Sequence, residues 1–202
     1  MPNMMNNKIP LLLLLLLSQC FIYAQQRDVQ AEGSASLVTN PAYFILGGYH
    51  IKPSWHFPQN WSVGITAQGG FELPGFARDQ FFEISSDAID VDWDYAVGVA
   101  LKYRFSAAPY DKGLYTSASL GYEAWTILAT ETQSTFENWF ASIDLGYNWY
   151  PLRKQRLHLG LAYTLIFILN NTDEQSIASE QYRLRSLVPP TFAPSIFLGW
   201  RF

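Results

Sequence analysis

The chain has 202 residues, a formal net charge of −4, 16% aromatic and 15% charged residues, and a mean hydropathy of −0.00. The acidic balance argues against a nucleic-acid partner, and a single cysteine, Cys20, leaves no disulfide framework. So many aromatics at zero hydropathy point to a sheet with one apolar and one polar face, rather than to a membrane helix or an ordinary soluble core.

Residues 1–24 read as a cleaved signal peptide. Lys8 gives the positive start, Leu11 to Leu17 the apolar run, and Phe21-Ile22-Tyr23-Ala24 the cleavage side ahead of Gln25. The leucine run is too short for a bilayer helix, which needs about 20 apolar residues. Leu17-Ser18-Gln19-Cys20 loosely resembles a lipobox, but Gln19 fits poorly before the cysteine and Ala24 offers a better site. Removing 24 residues from 202 leaves 178, one domain over 25–202. Loss of Lys8 leaves 12 bases against 17 acids, a mature charge of −5.

Period-2 alternation, the mark of a strand between unlike surroundings, then recurs eight times. The first strand spans 28–38, with Ala35 and Leu37 opposite Glu32, Ser34 and Ser36. After a tight turn at Asn40-Pro41, the second spans 42–57, with Tyr43, Ile45, Tyr49, Ile51, Trp55 and Phe57 opposite His50, Lys52, Ser54 and His56. The third, 61–73, sets Trp61, Val63, Ile65, Phe71 and Leu73 against Thr66, Gln68 and Glu72. A long connection over 74–90 leads to the fourth, 91–105, with Val91, Trp93, Tyr95, Val97, Val99 and Leu101 opposite Asp92, Asp94, Lys102 and Arg104.

The fifth strand, 114–127, places Ala118, Leu120 and Tyr122 against Ser117, Ser119 and Glu123. The sixth, 139–150, places Ile143, Leu145, Tyr147 and Trp149 against Ser142, Asp144 and Asn148. The seventh, 157–169, places Leu159, Leu161 and Tyr163 against His158, Gly160 and Thr164. A second long connection, 170–190, precedes the eighth, 191–202, where Ile196, Leu198, Trp200 and Phe202 oppose Ser195, Gly199 and Arg201. Gly64, Gly98, Gly121, Gly146, Gly160 and Gly199 recur on the polar face, which suits the crowded interior of an eight-stranded barrel.

A soluble barrel with the faces reversed is the rival architecture. Volume decides against it, because Trp55, Trp61, Trp93, Trp139, Trp149 and Trp200 would overfill one small interior. Turned outward, the apolar face becomes a lipid-facing band with aromatic rims. Short connections at 58–60, 106–113 and 151–156 alternate with long ones at 74–90, 128–138 and 170–190, which puts the long ones outside and both termini in the periplasm.

The signal peptide, strand count, alternation, loop asymmetry and terminal Phe202 together resemble the small eight-stranded bacterial outer-membrane barrels of the OmpA-domain and OmpX type. The resemblance implies an all-β, antiparallel up-and-down transmembrane barrel in the outer membrane, in contact with its lipid and lipopolysaccharide. It also implies recognition of the last strand, with Trp200 and Phe202, by the barrel-assembly machinery.

The polar face would then line the lumen. Lys52, His56, Lys102, Arg104, His158 and Arg201 gather toward the periplasmic end, Glu72, Asp92, Asp94 and Glu123 toward the outside, and Glu32 and Asp144 among the bases. Enclosed charges must be paired or hydrated, so the expectation is an ion-pair plug, with a narrow gated ion or solute channel as the alternative. A lipid A hydrolase or acyltransferase is a third reading. Ser54 and His56 share a face, but at the wrong end for outer-leaflet lipid. No metal or cofactor is expected from three dispersed histidines. Phe76, Phe81, Phe82, Tyr182, Arg183 and Arg185 on the long connections are candidate contacts for an extracellular protein or glycan.

Overall fold

The computed structural model describes residues 34–84, 89–105, 112–129, 132–151, 156–177, 180–188 and 195–202. The signal peptide, Glu32 and the first part of the 28–38 strand lie outside the described residues. Alternation does what it predicts over the lower part of the molecule: one apolar and one polar face per strand curl the sheet until its edges meet. The elements are β1 (Ser34–Thr39), α1 (Pro41–Ile45), β2 (Tyr49–His56), β3 (Trp61–Gly69), β4 (Phe71–Glu72), α2 (Gly75–Phe81) and β5 (Phe82–Ile84). There follow β6 (Ile89–Arg104), β7 (Gly113–Ala129), β8 (Thr132–Trp149), β9 (Leu157–Ile168), β10 (Gln175–Ile177), β11 (Glu180–Leu184), β12 (Leu187–Val188) and β13 (Ser195–Arg201).

Eight antiparallel strands close the barrel in the order β1-β2-β3-β6-β7-β8-β9-β13, and β13 returns to β1. The seam pairs Ser36 with Arg201 and Thr39 with Leu198. Phe202 N–H donates to the Ala35 carbonyl at 2.9 Å, and Arg201 Nε–H to Ser34 Oγ at 2.9 Å. Outward side chains form an exposed apolar belt that includes Ile51, Ile65, Val99, Leu120, Leu145, Leu161 and Ile196. Trp55, Phe105, Trp149, Trp200 and Phe202 ring its lower rim, and Trp139, edge-on to Tyr122 at 5.2 Å, marks the upper one. Hydrocarbon, not water, is the solvent such a belt fits.

The wall is uneven. Among the described residues, β1 and β2 stop short on either side of α1, β2 with eight residues, whereas β6, β7 and β8 have 16, 17 and 18. At about 3.3 Å per residue and a tilt near 40°, the longest strands rise on the order of 40 Å, well past an apolar band about 25 Å tall. Three strands therefore stand clear of the belt.

The upper parts of the second, third and fourth predicted strands differ from expectation, for identifiable reasons. Residues 41–45 are helical: Pro41 occupies the first turn and the Asn40 side chain accepts from Ala42 N–H at 3.0 Å, so this stretch starts a helix rather than a strand. Gly69 and Gly70 adopt φ of +129° and +78°, and the 94–95 step of β6 carries a register shift between Trp93 and Tyr95. A Cβ on Gly69 would stand 2.6 Å from Tyr95 Cα, so the two irregularities need glycine where they meet. One extra residue flips every side chain beyond it to the other face.

Phe71, Leu73, Ile89, Val91 and Trp93 consequently turn inward and are buried. Together with Trp125, Ile127, Phe136, Phe140 and Ile168 they form an apolar core inside the projecting wall. Trp93 and Trp125, opposite each other on β6 and β7, stack with centroids 5.0 Å apart and planes 8° from parallel. Over this core lies a lid: α2, and the small sheet β10-β11-β5, which contributes Phe81, Phe82, Ile177, Tyr182 and Leu184. Of the described residues in the connections read as long loops, 75–84, 175–177, 180–184 and 187–188 are folded into elements, and 128–129 and 132–138 extend the β7–β8 wall.

Candidate functional site

The interior divides into three levels. The lowest is polar. Lys102, Arg104, Ser117, Asn148 and His158 are buried there, with Arg201 and Ser34 at the seam. Lys102 Nζ stands 4.7 Å from the centre of the Tyr115 ring, a cation–π contact. His56 is held between two serines on adjacent strands, with Nδ1 2.8 Å from Ser62 Oγ and Nε2 2.8 Å from Ser36 Oγ. The glycines of the polar face make room for these groups. A Cβ on Gly199 would collide with the His158 ring, and one on Gly121 would come within 2.5 Å of Phe140.

The middle level holds a cavity of about 280 Å³. Its floor carries Lys52, Thr66, Gln68, Ser119, Ser142 and Asp144, and its ceiling Phe71, Phe81, Trp93, Phe140 and Ile166. Asp144 accepts from Thr164 Oγ1–H at 2.7 Å. Above and to one side, Asn138 Nδ2–H donates to the buried Glu123 at 2.7 Å. The third level is the apolar core and its lid.

Of the predicted lumen charges, Lys52, Lys102, Arg104, Glu123, Asp144, His158 and Arg201 lie on the inward face. Glu72, Asp92 and Asp94 do not. Glu72 and Asp92 face each other on the outside of the projecting wall, beyond the bulge that inverts β3 and β6. Asp94, at the bulge itself, accepts from Thr126 Oγ1–H at 2.8 Å. Partial burial, and then the neighbouring Asp94 and Asp90 carboxylates, hold the Asp92 carboxyl above its usual range.

The predicted surface contacts also divide. Phe81, Phe82 and Tyr182 are not surface residues but the inner face of the lid, where burying rings gains more than offering them to water. Phe76 is 73% exposed. Arg183 is exposed and donates from Nε–H to the Thr172 carbonyl at 3.0 Å. Arg185 ties the lid together through Glu83 at 2.8 Å. Trp200 and Phe202 project outward from the closing strand.

Sequence reading missed Trp125, Asn138 and the Ser36–His56–Ser62 group. The first two were within reach, since alternation in β7 and β8 runs unbroken through them. The serine–histidine group needed the strand register, which alternation within one strand does not contain. Among the described residues, no cluster of three or more His, Cys, Asp or Glu side chains is placed to hold a metal ion.

No protein-family model matches the chain, and no curated protein matches it. Among solved structures, it is similar to the N-terminal β-barrel domain of Pseudomonas aeruginosa OprF, with a TM-score of 0.45 and 12% identity over 84% of this chain and 96% of that one. It is also similar to Neisserial surface protein A, with a TM-score of 0.41 and 13% identity over 84% and 94% of the two chains. For Ail, the attachment invasion locus protein of Yersinia pestis, the TM-score is 0.35 with 11% identity over 84% and 95%.

Proposed function

We propose that this chain is a non-enzymatic outer-membrane barrel whose closed lumen supports a rigid extracellular head, and that the head serves as a surface for a protein or glycan partner. The observation that carries this reading is the lidded apolar core inside the projecting walls of β6, β7 and β8. A channel needs a water path, and a stacked Trp93–Trp125 pair roofed by Phe81 and Phe82 is a poor one. Beneath it, the inward bases and Asp144 favour an ion-paired lower lumen that adds a second seal. Phe76, Arg183 and Arg185 remain the candidate contacts, with lipopolysaccharide around the upper rim. Trp200 and Phe202 on β13 suit recognition by the assembly machinery.

An enzymatic reading gains little. His56 hydrogen-bonds to Ser36 and Ser62 deep in the lower lumen, where no lipid carbonyl reaches. The narrow-channel reading keeps one supporting observation, the polar floor of the cavity. Single-channel recording of the purified barrel in planar bilayers separates the two. The proposal expects no steady current at neutral pH, and a stable ohmic conductance would replace it with the channel.

A further inference from the structure

The cavity at mid-barrel has features that neither a water pocket nor a packing defect explains. At about 30 Å³ per water it would hold on the order of nine molecules, and it lies near the lower end of ligand pockets, about 300–1,000 Å³. Its lining is graded. Thr66, Gln68, Ser119 and Ser142 supply hydroxyls and an amide, while Phe71, Phe140, Ile166 and the ring of Trp93 supply apolar surface; Trp93 Nε1–H, buried and without a hydrogen-bond partner, adds a donor among them. Water fits the first set and not the second. A pure hydrocarbon fits the second and leaves the first without partners. Lys52 and Asp144 both border the floor, so their charges balance and give no net pull on an ionic head of either sign.

The mouth points to where an occupant comes from. Leu46 at the end of α1, and Pro74, Phe76 and Ala77 at the start of α2, border the cavity. Leu46 is 41% and Phe76 73% exposed, and beside them Phe44 is 55% and Ile45 85% exposed. α1 joins β1 to β2, the short side of the wall, where outward Leu37 and Ile51 belong to the apolar belt. The mouth therefore opens at the height of the outer leaflet, through side chains that suit lipid better than water.

We infer that the cavity binds a single-chain amphiphile with an uncharged, hydroxyl-bearing head, taken up from the outer leaflet between α1 and α2. The head hydrogen-bonds to the floor, and the chain lies against the aromatic ceiling and out through the mouth. This site goes beyond the surface role proposed above and holds whether or not the head engages a partner.

Carbon-13-labelled decan-1-ol is the probe, added to the barrel in nanodiscs of deuterated phospholipid so that no detergent competes. The expected result is saturable binding. Cross-relaxation should link the hydroxymethylene group to the Thr66 and Thr164 methyls, and mid-chain carbons to the Trp93 and Phe140 rings. Ser119→Phe, or Ser142→Phe if the first fails to show the gel mobility of a folded barrel, should fill the floor and weaken binding at least tenfold. Contacts confined to belt residues such as Leu120 and Leu161 would overturn the inference. So would unchanged affinity in a folded, filled variant, or a head seated among the aromatics. If neither variant folds, the wild-type contact pattern decides alone.

Discussion

Phe82→Ala tests whether the lid and the core beneath it form one packed unit separate from the barrel wall. Phe82 is 1% exposed and stands edge-on to Trp125 at 5.5 Å and to Phe136 at 6.1 Å. Its strand, β5, is three residues long and pairs with β11 through Tyr182, Arg183 and Leu184. Truncating a buried phenylalanine costs about 3–5 kcal/mol, the transfer term plus the cavity left behind. With about 1.4 kcal/mol per factor of ten, amide hydrogen exchange in β11 should accelerate by about 100-fold or more. Amides of Val99 and Leu120, in the lipid-facing wall, should not respond, because effects at sites more than about 7–10 Å apart without shared partners are independent. Exchange measured by mass spectrometry in lipid resolves both regions. Unchanged protection in β11, or equal acceleration in the wall, would refute the division into wall and lid.

Val99→Arg or Leu161→Arg, at positions 55% and 47% exposed on the outward face, should impair assembly, since arginine at mid-membrane costs about 2–4 kcal/mol in a barrel. Thr66→Asn and Ser119→Asn should be tolerated, because both side chains border the cavity; heat-modifiable gel mobility compares the four, and similar behaviour of the two pairs would mean a wrong register. Asp144→Ala strips Thr164 of its acceptor and should lower the thermal midpoint of the barrel; Glu32→Ala is its companion, and an unchanged midpoint and current in both would count against an ion-paired lower lumen. Asp92→Asn should stabilise the projecting wall at neutral pH. A carboxyl whose folded pKa is raised opposes folding once pH exceeds its unfolded value near 3.8, so the gain should shrink as pH falls toward that value; a gain that grows on acidification would reverse the sign of the argument.

How far the alternation of residue types reached depended on whether it stayed in phase. Within β7, β8, β9 and β13 it stayed in phase, so Leu120, Ser142, Leu161 and Arg201 fall on the faces expected of them. At Gly69-Gly70 and Asp94 it slipped by one, and Glu72, Asp92 and Trp93 changed sides together. The slip left a mark in the sequence, two adjacent glycines inside a strand, which is where a bulge is expected. Asn40-Pro41 was equally informative, since Asn before Pro is a helix start as well as a turn. The lid was foreshadowed by the surplus of Phe76, Phe81 and Phe82 in a supposed loop. Which of the three stays outside depends on the pairing of β5 with β11, a contact about 100 residues apart in the chain that no local pattern encodes.

The most direct test of the account is where its two ends lie relative to the membrane. Single cysteines at Phe76 on α2 and at Gln59 in the β2–β3 turn can be offered a membrane-impermeant maleimide on intact cells. The account predicts that Phe76→Cys is labelled on intact cells and Gln59→Cys only after the outer membrane is breached. Labelling in the opposite order, or of both sites equally before lysis, would contradict a barrel that holds its lidded head outside.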